Sequence, residues 1–247
     1  MDQRNKANQS ELTIEKILRE GMPILDKGYI RLVDHMGTDL SVVNSARVSY
    51  AKASTELSDK DERLIEFLAT HEHTSPFRHT SLQFEVYAPL MVARQWWKHV
   101  VGSDHIMDAW NESSRRYITE EAEFYIPEED QWRSRPENNK QGSGEALSEV
   151  IGVKYTKELM DYIEQGEKLY EAAMAEGVCP EQARLFLPAY GMYVRWYWTA
   201  SLQSVAHFIK LREDAHAQKE IRDYAEAVKV LSSVHFPIAL RALLESK

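Results

Sequence analysis

The chain has 247 residues, of which 43% are hydrophobic, with six Trp, twelve Tyr and a formal net charge of −9. This length and composition allow a buried core and exclude a disordered or fibrous protein. The acidic balance argues against a protein that coats nucleic acid, because phosphate backbones are held by surplus Lys and Arg, but a few local cations would suffice for a small anionic ligand.

Hydrophobic spacing predicts helices and strands in the first hundred residues. After a polar leader at 1–10, we expect helices at 10–21, 40–50 and 59–71 and strands at 29–34 and 80–87. The second strand is the clearer one, since Leu82, Phe84 and Val86 alternate with polar residues as in a half-buried sheet. Pro89 is tolerated in the first turn of a helix, so a further helix is expected at 89–99.

The second half of the chain is predicted to be mainly helical. A polar, exposed loop at about 129–144 precedes a long helix at 145–176, for which Gly177 is the expected cap. A strand follows at 190–198, and then helices at 201–213 and 217–244. The whole chain, 1–247, is therefore predicted to form one α+β domain with a small antiparallel sheet packed by several helices, including a long one.

Two segments carry residue types that suit an anion site. They read ARQWWKH at 93–99 and NESSRRY at 111–117, and together supply cations, amides and hydroxyls. A phosphate is bound by guanidinium forks and hydroxyls, with turn or helix-end N–H groups beside them. The alternative from composition alone is a solvated Arg/Lys surface with ordinary ion pairs.

The order of these segments resembles the signature of the flavin-dependent thymidylate synthase family, in which an RQW stretch runs into Arg-His-Arg and is followed by Asn-Glu-x-Ser-x-Arg-Tyr. Two further regions are similar to family motifs in the same order. They are HTSPFRH at 73–79, and a C-terminal set that comprises EQARLFLP at 181–188, RWYWT at 195–199 and LREDAHAQKEI at 211–221. The resemblance covers roughly residues 40–225, and three ordered blocks are more specific than one short pattern.

The resemblance implies reductive methylation of dUMP to dTMP, with 5,10-methylenetetrahydrofolate and NADPH as co-substrates. The implied dUMP-binding residues are Gln95, Trp96, Trp97, Lys98, Glu112, Ser113, Ser114, Arg115, Arg116, Arg184 and Arg212. In the family, the positions of Ser114 and Arg116 hold the phosphate, and Arg184 would come from a neighbouring subunit. Arg212 would be the catalytic residue, because a guanidinium that faces the uracil ring favours loss of its N–H proton. Its alternative role is a helix-end ion pair with Glu213 or Asp214.

The resemblance also implies an FAD cofactor, bound across the subunit interfaces of a homotetramer. The implied FAD-binding residues are His73, Ser75, Lys98, His99, Val100, Glu112, Ser201, Leu202, Gln203, His207 and His216. Lys98 and Val100 stand where the family usually has arginines, and 100–110 is about six residues longer than the shorter family form. These departures bear on flavin binding more than on dUMP binding.

Metals and cysteine chemistry are not expected. His71, His73 and His79 have no fixed helical spacing, and Cys179 is the only cysteine, which excludes a multi-cysteine site. Cys179 lies outside every matched motif, so we interpret it as structural rather than nucleophilic. The polar N-terminus lacks the apolar core of a signal peptide, and we expect a cytoplasmic protein without membrane or nucleic-acid partners.

Two other functions remain to be distinguished from the sequence. The first is a non-catalytic nucleotide-binding paralogue that has lost productive flavin binding through changes such as Val100. The second is a helical DNA or RNA binder that uses the cations between Arg94 and Arg116, which the net charge of −9 disfavours.

Overall fold

The structure is a computed structural model that describes residues 14–50, 52–102, 108–113, 121–136 and 142–246. Five strands form one antiparallel sheet in the order β1-β2-β3-β5-β4 within these residues. The strands are β1 (Met22–Ile24), β2 (Gly28–Met36), β3 (Ser81–Pro89), β4 (Ala109–Glu112) and β5 (Tyr193–Ser201).

Helices precede, connect and follow these strands. They are α1 (Ile14–Glu20), α2 (Asp39–Arg47), α3 (Asp59–Thr70), α4 (Leu90–Gly102), α5 (Glu149–Ala175), α6 (Pro180–Ala183), α7 (Leu202–Arg212), α8 (Lys219–Ser233) and α9 (Pro237–Glu245). Short 3-10 turns lie at Val48–Tyr50, Ser75–Arg78 and Arg184–Phe186. The fold is the predicted α+β domain with a small antiparallel sheet and a long helix.

One face of the sheet carries the core. On β5 the side chains of Trp196 and Trp198 are buried, whereas Arg195 and Tyr197 between them are exposed, as the alternation of a strand requires. Trp96 of α4 meets both tryptophans edge-on and stacks on Phe208 of α7 with ring centroids 4.2 Å apart. These aromatic contacts fix α4 and α7 against the same sheet face.

The long helix α5 packs on a second, smaller cluster. Phe124, Ile163 and Leu187 form its buried centre. Gly177 follows the helix with φ +89°, the left-handed conformation that favours glycine, and so ends it as predicted.

Several predicted boundaries need correction. Pro89 is the last residue of β3 and pairs with Tyr193, so α4 begins one residue later. The helix expected at 217–244 is two helices, because Pro237 cannot continue a backbone hydrogen-bonded helix and instead begins α9. β1 and β4 were not predicted.

The segment predicted as an exposed loop at 129–144 is only partly exposed. Arg133 forms a bridge with Ala146, just beyond the segment, and the N–H of Gly144 donates to the carbonyl of Ser134 at 2.9 Å. The indole N–H of Trp132 donates to Thr156 of α5 at 2.8 Å. The ends of the segment are therefore docked on the domain.

Candidate active site

A groove between α4 and β4 contains part of the predicted dUMP set. Its cavity of about 430 Å³ is lined by Leu90, Ala93, Arg94, Trp97, Trp110 and Glu112. Trp97 is 41% exposed and meets Trp110 edge-on, with ring centroids 5.5 Å apart. Desolvation raises the pKa of the Glu112 carboxyl above its ordinary value, against a hydrogen bond from Trp110. The groove thus combines an aromatic wall with an ionisable acceptor.

Gln95 lies on α4 and is half-buried. Its side-chain Nε2 donates to Oε1 of Gln218, which precedes α8. Nε2 of Gln218 donates in turn to Oε2 of Glu220 at 2.8 Å, and Arg133 Nη2 donates to Oε1 of Glu220 at 2.5 Å. Gln95 is therefore the end of a chain of buried and half-buried polar side chains.

The NESSRRY segment is only partly described. Ser113 is held beside β5, because its N–H donates to the carbonyl of Arg195 at 2.8 Å. Its Oγ accepts from the N–H of Arg195 at 3.3 Å. Ser114, Arg115 and Arg116 lie outside the described residues.

Trp96 has a different role from the predicted one. Its side chain is 0% exposed and is enclosed by Trp196, Trp198 and Phe208. It has no surface on which to contact a ligand, so its predicted contact with dUMP is corrected to core packing. Its neighbour Trp97 faces outward and lines the groove, because consecutive helix residues point about 100° apart.

Arg212, the last residue of α7, is half-buried. Burial lowers the pKa of its guanidinium from the ordinary value. Its acidic neighbours are engaged elsewhere: Glu213 binds Lys229 at 2.6 Å, and Asp214 binds His216 at 2.9 Å. Within the described parts of the chain, the buried Nε of Arg212 has no hydrogen-bond partner. The predicted alternative, an ion pair with Glu213 or Asp214, is therefore not formed.

Four of the predicted flavin residues line two neighbouring cavities. His73 and Ser75 line a cavity of about 600 Å³ next to α2, and Gln203 and His207 of α7 line one of about 360 Å³. Both cavities include Glu72 and Thr74, so the turn after α3 joins them. Oε1 of Gln203 is buried and has no hydrogen-bond partner among the described residues.

The other predicted flavin residues are spread over several environments. Ser201 and Leu202 are buried at the start of α7, where Ser201 Oγ caps the helix by accepting from the N–H of Ser204. Their side chains thus cap and pack α7, and their predicted part in FAD binding stays a prediction. Lys98 and His216 are exposed. His99 and Val100 belong to α4, but their side chains lie outside the described part.

Arg184 is not among the residues that line the two cavities next to α2 and α7. It lies in the 3-10 turn that packs on α5. Its side chain is exposed, and its Nε donates to the carbonyl of Glu181 at 3.3 Å. The described residues contain no group of three His, Cys, Asp or Glu placed to hold a metal ion. No helix in the described ranges is long and apolar enough to cross a bilayer.

Comparison with known proteins identifies the family. The model for the thymidylate synthase complementing protein family matches residues 31–238. The flavin-dependent thymidylate synthase of Wolbachia pipientis is 40% identical over 236 residues, which cover 94% of this chain and 79% of that protein. The Thermosipho africanus enzyme of the same name is 39% identical over 90% of this chain and 93% of its own. The chain belongs to the flavin-dependent thymidylate synthase family.

A solved structure supports the same family. The UMP/dUMP methylase PolB from Streptomyces cacaoi, crystallised with 5-Br dUMP, superposes with a TM-score of 0.77 at 28% identity over 91% of this chain and 98% of that one. The family prediction is confirmed. Membership supports the enzymatic, methyl-transferring interpretation over the non-catalytic alternative.

Sequence reasoning did not single out Arg133, Gln218 and Glu220, which line a second cavity of about 380 Å³ together with Met91 of α4. Gln218 and Glu220 lie in the LREDAHAQKEI block that carried the resemblance, so their position in a matched motif was an available signal. Arg133 had no such signal, because its role depends on a contact 87 residues along the chain.

Proposed function

We propose that the chain methylates dUMP to dTMP in the synthesis of dTTP, with 5,10-methylenetetrahydrofolate as carbon donor and NADPH as reductant, through bound FAD. The relatives that match most of the chain are named flavin-dependent thymidylate synthases, and the structural neighbour PolB is described as a UMP/dUMP methylase. The names of the relatives state flavin dependence. The two co-substrates are our own addition to what those names state.

The observation that carries the proposal is the half-buried guanidinium of Arg212, whose Nε has no hydrogen-bond partner among the described residues. A buried cation without an acidic partner is costly, so such a group is typically matched by a ligand. An arginine remains charged even where burial lowers its pKa, and it stabilises negative charge that develops on a neighbouring uracil ring. Arg212 would thereby favour loss of the uracil N–H proton.

The α4–β4 groove supports the nucleotide part of the proposal. Trp97 and Glu112 line it, and Gln95 is on the same helix as Trp97. Ser114 and Arg116 would hold the phosphate just after β4, and Arg184 would complete the anion site from a neighbouring subunit. Its exposed guanidinium leaves it available for such a contact.

The residues around α7 fit FAD. Gln203 offers a buried, unpartnered amide oxygen, which suits an N–H donor of the cofactor, and His73, Ser75 and His207 line the joined cavities. When bound, FAD supplies the redox and carbon-transfer chemistry. The protein's own residues orient dUMP and polarise its ring, and no cysteine nucleophile is required.

Self-association as a homotetramer is supported by the surface of α5. Large apolar side chains are exposed along one face of this helix at Ile151, Tyr155, Tyr162 and Leu169. Contiguous exposed apolar surface is typical of protein–protein contacts. We propose that this face packs against a second copy, and that the protein acts in the cytoplasm.

The test is conversion of dUMP to dTMP by the FAD-loaded protein, with each component omitted in turn. We expect dTMP only when FAD, NADPH and methylenetetrahydrofolate are all present, and loss by orders of magnitude in Arg212→Ala. Arg241→Ala is the matched control, because Arg241 is also on a helix but pairs with Glu66 at 3.5 Å on the surface.

Three outcomes would contradict the proposal. The first is dTMP synthesis that persists in Arg212→Ala. The second is a protein that binds dUMP but cannot be loaded with FAD, which would restore the non-catalytic alternative. The third is salt-sensitive DNA affinity without dUMP affinity, which would indicate a nucleic-acid binder.

A further inference from the structure

The 3-10 turn Arg184–Phe186 is held at both ends and exposed in the middle. Ala183 before it is fully buried, and Leu187 after it is buried in the small cluster under α5. The N–H of Leu187 donates to the carbonyl of Arg184 at 3.2 Å, which closes the turn. All three residues of the turn are nevertheless exposed, and Leu185 is 81% exposed. The turn therefore presents a cation and two apolar side chains to solvent from one defined position.

The backbone of this turn rests on α5 at Gly166. A Cβ at Gly166 would lie 2.7 Å from the carbonyl oxygen of Phe186, so a larger residue would push the turn away. Because consecutive helix residues point about 100° apart, Tyr162 and Leu169 point about 40° and 60° to the same side of Gly166. Both are exposed, and they lie beside the turn that carries Leu185. We call the apolar surface formed by Tyr162, Leu169, Leu185 and Phe186 the α5 rim.

The α5 rim is the C-terminal end of a longer exposed face. Ile151 and Tyr155 point in nearly the same direction as Tyr162 and Leu169, so the apolar surface continues along the helix. Single exposed apolar residues need no explanation, but contiguous ones indicate contact with another protein. The rim is therefore a candidate docking surface.

Arg184 indicates which protein the rim contacts. Its exposed side chain belongs to the same turn as Leu185, and its Nε donates to the carbonyl of Glu181 at 3.3 Å. This contact uses one of the five N–H donors of a guanidinium. A protein that covers Leu185 must also meet the Arg184 side chain. Under the proposed function, Arg184 enters the anion site of a neighbouring subunit, so that protein is a second copy of this chain.

We propose that the α5 rim docks on a second copy of this chain, with Leu185 as its central contact, and that the same contact places Arg184 in the anion site of that copy. The inference rests on the proposed function, which assigns Arg184 to a neighbouring subunit without assigning the surface that carries it there. It also predicts that dUMP binding and self-association are linked. Because linkage is reciprocal, dUMP strengthens the assembly by the factor by which the assembly strengthens dUMP binding.

Leu185→Asp tests the docking contact in the full-length, FAD-loaded protein. Since Leu185 is 81% exposed, the substitution should leave the fold of a single chain intact. In the assembly it would bury a carboxylate against the second copy. We expect self-association, measured by sedimentation, to weaken by about tenfold or more. The dUMP affinity, measured by calorimetry, should fall by about tenfold at a concentration where the wild type is assembled, and should recover at higher protein concentration.

Val150→Asp is the matched control. Val150 is also 81% exposed and lies on α5, but it points about 160° away from Gly166. The same substitution there should change neither the assembly nor the dUMP affinity. The inference is overturned by a monomeric wild type, by an unchanged assembly in Leu185→Asp, or by equal effects of the two substitutions. A Leu185→Asp protein that dissociates but keeps its dUMP affinity would also overturn it, because Arg184 would then not depend on the contact.

A mixture of Arg184→Ala and Arg212→Ala chains tests whether Arg184 acts in a second copy. Each variant alone should synthesise little dTMP. The two are co-expressed with different tags and purified through both tags, so that every assembly contains both chains. About a quarter or more of the sites then combine both intact arginines, and a comparable fraction of wild-type activity should return.

The mixture also separates the two proposals. If the wild type synthesises dTMP but the mixed assemblies show no recovery, the inference is overturned and the proposed function stands. If the wild type neither binds dUMP nor synthesises dTMP, the proposed function is overturned and the inference with it.

Discussion

The imidazole rings of His35 and His235 stack face to face, with centroids 3.6 Å apart and an angle of 19° between the planes. His35 lies on β2, and His235 lies between α8 and α9. Burial lowers the pKa of His235, and the proximity of His35 lowers it further. Both effects favour the neutral ring in the folded protein.

The stacked pair predicts loss of stability in mild acid. Since the folded pKa of His235 is below the ordinary value of 6.5, the unfolded chain binds more protons once the pH falls below about that value. Above it, both states are neutral and the contribution of this histidine to stability is fully present. We expect the Tm to fall between pH 7.5 and pH 5.5, and to fall less in His235→Phe. His71→Phe, which replaces an exposed histidine stacked on Phe67, is the control and should leave the slope unchanged.

Gly152 is predicted to be required although it lies inside a helix. Replacing a helical glycine by alanine ordinarily stabilises a protein by roughly 0.5–1 kcal/mol. Here an added Cβ would lie 1.7 Å from the carbonyl oxygen of Glu129, a backbone atom that cannot move independently. We therefore expect Gly152→Ala to destabilise the protein by about 1–3 kcal/mol, measured by urea denaturation.

Lys154→Ala is the control for this substitution. Lys154 lies on the same helix and is 60% exposed, so its removal should change stability by no more than about 0.5 kcal/mol. A Gly152→Ala protein as stable as the wild type would mean that the turn at Glu129 does not pack on α5.

The elements that the sequence predicts well are those with local signals. β3 was predicted from its own alternation, and the end of α5 from Gly177. β4 has mainly exposed residues and is a strand because it pairs with 196–199 of β5, which no local pattern records. The sequence does not separate α9 from α8, because apolar spacing continues across Pro237, a residue that also begins helices.

The same contrast between local sequence signals and contacts between distant segments applies to the site. Gln95 and Arg212 were found because they belong to short motifs, and the outward orientation of Trp97 follows from helical geometry. The burial of Trp96 and the pairing of Arg133 with Glu220 depend on contacts between distant segments. Such contacts are set by the fold and leave no trace in spacing.

Cys179 is predicted to be dispensable for catalysis. It is exposed and occupies the position before the short helix α6, where its side chain makes no capping hydrogen bond. Serine is a preferred residue at this N-cap position. Cys179→Ser should therefore be stable and should synthesise dTMP at the wild-type rate. The wild-type thiol should react readily with a thiol reagent in the native protein. Complete loss of activity in a folded Cys179→Ser protein would revive a mechanism that uses a cysteine nucleophile.

Adjacent tryptophans on α4 are predicted to have opposite phenotypes. Trp96 is enclosed by aromatic rings, so Trp96→Ala should lower the free energy of unfolding by about 3–5 kcal/mol. Trp97 is 41% exposed and contacts Trp110 at its edge, so Trp97→Ala should cost only about 1 kcal/mol but weaken dUMP binding by removing one wall of the groove. Chemical denaturation and dUMP calorimetry on both variants separate the two effects. Equal losses of stability would contradict the assignment of Trp96 to the core, and unchanged dUMP affinity in Trp97→Ala would place the nucleotide outside the α4–β4 groove.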